Sequence, residues 1–239
     1  MAMRTLRSEL LKARVSTVWI ALLVTALLVP WVFSAVLFGL SEFPQELPTT
    51  QWGYRFGILP IAALGALAIS SELQSGSAAF TFTATPERWR PLTAKAVVLV
   101  LTSIPVGLIA GGGSWLIAWL LQGDGGPPLE LVSADDYRMV LGVGIAYGIA
   151  AILGLAVGAL LGRPVVAVVL LLVWPLLIEN VAAGLPIIGE RIALVLPFMA
   201  ADEFIFGVDS HPYWSLLYFA VFSGVLVTVA AVRLERRDL

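Results

Sequence analysis

The chain has 239 residues, 59% of them hydrophobic and 13% charged, with a mean hydropathy of +0.96 and a formal net charge of -2. Soluble domains carry about 25% charged residues, so the composition points to an integral membrane protein, and no basic tract exists to suggest a nucleic-acid partner. The absence of cysteine removes disulfides, iron–sulfur ligation and thiol catalysis together, and no soluble domain of ~50 residues fits between the apolar runs, so the chain reads as one membrane domain.

Met1 to Arg14 carries Arg4, Arg7, Lys12 and Arg14, while Met3, Leu6, Leu10 and Ala13 fall on one helical face. This predicts an amphipathic helix lying in the cytoplasmic membrane interface. The apolar run 15–40 is longer than the ~7–15 residues of a signal-peptide core. At 1.5 Å per residue it covers ~39 Å, enough to cross a bilayer with tilt. Five more spans are predicted at 52–71, 92–121, 139–162, 164–184 and 212–232, giving an all-α protein of six transmembrane helices. In the fourth, Gly144 and Gly148, then Gly154, Gly158 and Gly162, recur four residues apart. Small residues at that spacing line one face and let another helix approach closely.

Between spans two and three, Ser71 to Pro91 is charged at its ends and small, uncharged and aromatic in its middle. Phe80 and Phe82 among polar neighbours mark either a surface that meets another protein or aromatics resting in the headgroup region. Thr85-Pro86-Glu87 reads as a helix start, with an N-cap, a first-turn proline and an acid at the positive end of the helix. Eleven of the fourteen basic residues fall on the side of the termini and of this loop, leaving Arg55, Arg138 and Arg191 on the other. Both termini are therefore expected in the cytoplasm.

The segment from Pro186 to Ser210 is too apolar for water and too broken by Pro186, Gly189 and Pro197 to span. A pair of short helices dipping back into the outer leaflet fits it, as does a loop folded over the bundle. Glu179-Asn180 lies about 22 Å into the fifth span. A carboxylate at that depth either lines a pathway or caps the re-entrant segment from the outer interface. His211 has no companions for metal binding. Gly111-Gly112-Gly113 lies inside an apolar span and lacks the Gly-Lys-Ser/Thr of a phosphate loop. Catalytic and metal sites are expected to be absent, and any ATP chemistry would belong to another chain.

The chain resembles the permease subunits of type-2 ABC transporters. Glu72, Gly76-Ser77, Thr85-Pro86, Arg88 and Lys95 are similar to that family's pattern of Glu, Gly-Ser/Thr, a short apolar stretch, Pro, Arg, and a Lys opening span three. The likeness covers the whole chain in layout and about 25 residues in motif. It implies that Gly76 to Ala84 docks on a separate ATP-binding-cassette ATPase, which holds the ATP and magnesium. Phe80 and Phe82 would then be anchors, with Glu72 and Arg88 at the ends of the element. It also implies export across the plasma membrane by two such chains, a second copy or a paralogue, surrounded by lipid. The competing reading is a secondary transporter with no ATPase partner, a class that shows internal repeats and several intramembrane charges. A third, an intramembrane enzyme, lacks a His/Glu pair, Asp cluster or Ser/Lys arrangement within any span.

Overall fold

A backbone that crosses lipid must satisfy its own hydrogen bonds, and in long apolar runs of Leu, Val and Ala the helix is the local way to do so. The computed structural model describes residues 16–40, 45–76, 89–122, 126–186, 189, 192, 195–207 and 211–236. Six helical segments are long and apolar enough to cross a membrane, and no strand occurs among the described residues. The protein is thus an α-helical, multi-pass membrane protein.

The first span is α1, Thr17–Leu40. A 3-10 turn, Leu47–Gln51, leads into α2, Tyr54–Ser75, and α3 is Trp89–Gln122. The fourth span, α4, is Ala134–Leu161. Span five comprises α5, Pro164–Val173, a π-helical stretch, Trp174–Glu179, and a last α-turn, Asn180–Ala183. A ten-residue helix, α6, Pro197–Phe206, precedes the final span α7, Pro212–Arg236.

The apolar runs set where the spans lie, and polar chemistry sets where they end. Helix α4 starts at Ala134, not 139, because Ser133 and Asp136 form a capping box. Ser133 Oγ accepts from the Asp136 amide at 3.1 Å, and Asp136 Oδ2 accepts from the Ser133 amide at 2.7 Å. The reciprocal pair satisfies amides at the helix start, and its acid suits the positive end of the helix dipole. Helices α2 and α7 each run four residues past their expected ends, through Glu72 and Arg233, and α3 is helical already at Trp89.

Helices α2 and α4 form the centre, with 67% and 72% of their most apolar windows buried, against 17% for each of the first, fifth and sixth spans. Their intimacy comes from glycine. A Cβ on Gly154 or Gly158 would stand 1.9 or 2.3 Å from the carbonyl oxygens of Ala62 or Ala66, and one on Gly65 would stand 2.1 Å from that of Ala151. Gly144 and Gly148 instead admit Leu108 and Ile104 of α3, and Gly107 and Gly111 of α3 return the fit against Gly144 and Val140. The glycines of the fourth span therefore divide between two faces. Gly162 stands at the end of the helix. It is the left-handed C-cap of α4, with φ 64, and its amide donates to Gly158 O. Glycine adopts that conformation without the strain a Cβ brings.

Candidate functional site

Two polar groupings stand at opposite ends of the bundle. The first joins the helix ends on either side of the 77–88 stretch. Helix α2 stops at Gly76, a left-handed C-cap with φ 73. One turn earlier, Glu72 Oε1 accepts from Lys95 Nζ at 2.8 Å, with the lysine side chain 4% exposed and the glutamate 18%. A buried ammonium is tolerated when a carboxylate compensates its lost hydration, so the pair ties the end of α2 to the start of α3. Of the expected coupling residues, Glu72 and Gly76 are placed here. Ser77, Phe80, Phe82 and Arg88 lie outside the described residues, as do the helix start at Thr85-Pro86-Glu87 and the N-terminal segment 1–14.

The second grouping surrounds α6. In span five, Pro175 offers no amide to the helical ladder, and the chain widens into the π-helical stretch that ends at Glu179. Glu179 is fully buried. Its Oε1 accepts from Trp174 Nε1 at 2.8 Å and from the Phe198 amide at 3.2 Å, while Oε2 accepts from the Met199 amide at 2.8 Å. Phe198 and Met199 are in the first turn of α6, so a carboxylate from another helix caps its positive end. Asn180 is exposed, and its Nδ2 donates to the carbonyls of Pro175 at 2.7 Å and Leu176 at 3.3 Å, closing oxygens of the π-helical stretch. The geometry of Glu179 is that expected of a cap on the segment before span six.

The negative end of α6 meets a cation. Arg138 of α4, 7% exposed, donates to the carbonyls of Phe204, Ile205 and Gly207, the last at 2.6 Å. Asp135 pairs with the same guanidinium at 3.0 Å. Midway along α6, Asp202 accepts from the Tyr54 hydroxyl and pairs with Arg55 at 2.9 Å, both from the start of α2. Helix α6 is thus held at its start, middle and end by spans five, two and four, with charges matched to its dipole. A cavity of about 290 Å³ opens beside it, bordered by Arg55, Glu179, Asn180 and Asp202 and by Phe33, Trp52 and Phe56.

Tyr54, Arg55, Arg138 and Asp202 escape a reading built on apolar runs. The capping box at Ser133 is the signal that would have placed Arg138 inside a helix. Among the described residues, no three His, Cys, Asp or Glu side chains gather as a metal site needs, and the carbonyl of His211 accepts from the Trp214 amide at the start of α7. The chain matches no model of a known protein family and no curated protein.

Proposed function

We propose that the chain is the permease subunit of an ATP-driven exporter of the plasma membrane. It works as a dimer, of two copies or with a paralogue, and couples through the 72–95 loop to a separate ATP-binding-cassette ATPase. The observation that carries this reading is the Glu72–Lys95 pair. It brings two residues of the type-2 permease pattern together at the base of the loop that the pattern assigns to docking. A push on that loop would reach α2 and α3 as one unit, and α2 packs through glycine contacts onto α4.

The orientation follows the eleven-to-three split of basic residues and puts both termini and this loop in the cytoplasm. Helix α6 then belongs to the outer leaflet. Its ten residues cover about 15 Å, half of a bilayer core, and it carries buried Phe198, Phe204 and Ile205. That suits a re-entrant segment whose irregular flanks are covered by protein.

The test is purification of the full chain from its native membrane, followed by reconstitution. The proposal expects a stoichiometric ATP-hydrolysing subunit to co-purify and transport to require ATP. Transport by the chain alone, driven by an ion gradient, would overturn it in favour of a secondary transporter.

A further inference from the structure

The cavity beside α6 is lined by carboxylates and by an arginine, so the charge of its occupant depends on which of these groups is still open. Glu179 is fully buried and already accepts from an indole and two amides. Asp202 already holds the Tyr54 hydroxyl and the Arg55 guanidinium. Neither carboxylate stands open to a cation.

Arg55 differs. Its Nε lies 2.9 Å from Asp202 Oδ2, its guanidinium sits over the Phe206 ring at 5.0 Å, and its side chain is half exposed. Among the described residues, Nη1 and Nη2 meet no hydrogen-bond acceptor. A guanidinium is a planar fork that can serve two acceptors along different edges, and one held by an aromatic face and a carboxylate loses little freedom on binding. The wall nearby is apolar. Phe33 stacks on Phe56 at 4.8 Å, and Trp52 is half exposed beside them. The volume of about 290 Å³ is near the lower bound of small-molecule sites, roughly 300 Å³. It fits a headgroup and its first carbons better than a whole amphiphile.

We propose that this cavity binds the phosphate headgroup of an anionic amphiphile, with Nη1 and Nη2 of Arg55 as donors and the apolar chain leaving along Phe56 and Trp52. The headgroup can come from an anionic phospholipid or from a free amphiphile, which share this chemistry. The inference rests on the cavity and on Arg55 alone, and it stands whether ATP or an ion gradient drives the protein.

The experiment uses the purified full chain in neutral detergent and compares dodecyl phosphate, dodecyltrimethylammonium and inorganic phosphate as ligands. Dodecyl phosphate should bind roughly tenfold or more tightly than dodecyltrimethylammonium, the margin of a charged hydrogen-bonded contact. Arg55→Gln should abolish that preference, and Arg55→Lys should keep part of it. Phe56→Ala should weaken dodecyl phosphate while leaving inorganic phosphate unchanged. Displacement by dioctanoyl phosphatidylglycerol at lower concentration than dodecyl phosphate assigns the site to a lipid headgroup, and the reverse order assigns it to a free amphiphile. Equal binding of the two dodecyl ions by the unaltered protein would overturn the proposal, a result that needs no substitution to fold. So would an unchanged preference in Arg55→Gln protein of normal thermal stability.

Discussion

At one end of the bundle, the Lys95–Glu72 pair joins α2 to α3 at the base of a loop. At the other, Glu179, Asp202 and Arg138 fix a ten-residue helix to three different spans. Both ends bury charge, but the consequences differ. The Lys95–Glu72 tie between neighbouring helices leaves the two able to move as one body. Three ties spread along one short helix lock spans two, four and five against each other. The difference suits the proposed coupling, in which a push at one end meets a held helix at the other. The α6 end has to be released before those spans can part there.

The largest effect should come from the strongest tie. Arg138→Met leaves three carbonyls and Asp135 without their cation, and breaking a buried charged network typically costs about 3–5 kcal/mol. Thermal unfolding in detergent should show a large loss, with Arg138→Lys recovering only part because an ammonium lacks the fork. An unfolding temperature equal to that of the unaltered protein would remove α6 from the account of rigidity. Glu179→Gln should cost less, roughly 1–3 kcal/mol. The amide keeps one acceptor but turns a donor toward a main-chain amide. Transport per folded molecule should stay normal; a transport defect at unchanged stability would move Glu179 from cap to pathway.

At the opposite end the expected effects are smaller. A double-mutant cycle on Glu72→Gln and Lys95→Met should give an interaction of roughly 1–2 kcal/mol, and either change should lower transport per ATP hydrolysed more than it lowers stability. A stability loss with intact coupling would make the pair a plain structural tie. Smallest of all, Gly162→Ala should cost roughly 1 kcal/mol through the left-handed backbone alone, with coupling unaltered.

The six spans were legible because a bilayer demands about twenty apolar residues for each crossing, and no tertiary context can hide such runs. Their ends were less so. Ser133 and Asp136 stand three apart as a capping box, a polar signal that apolar runs alone pass over, and that hid Arg138. The glycine spacing was legible, but its partners were not. At 100° per residue, Gly144 and Gly154 point about 80° apart, enough to serve two neighbours. Gly53 with Gly57, and Gly107 with Gly111, carry the same spacing and pack as closely. The place of Glu179 along span five was readable, but its role as a cap depends on a helix 19 residues further on. Pairings at such separations, like Tyr54 with Asp202, are fixed by the packing of spans and leave no local pattern.

Whether the Glu72–Lys95 end faces the cytoplasm and receives an ATPase, as proposed, can be read at Ser77. The chain contains no cysteine, so Ser77→Cys provides a single reporter. An impermeant thiol reagent added to intact cells should leave this cysteine unmodified. The same reagent should label it once the membrane is permeabilised, and a co-purified ATPase subunit should then protect it. Labelling of Ser77→Cys from outside intact cells would contradict the orientation and with it the proposed site of coupling.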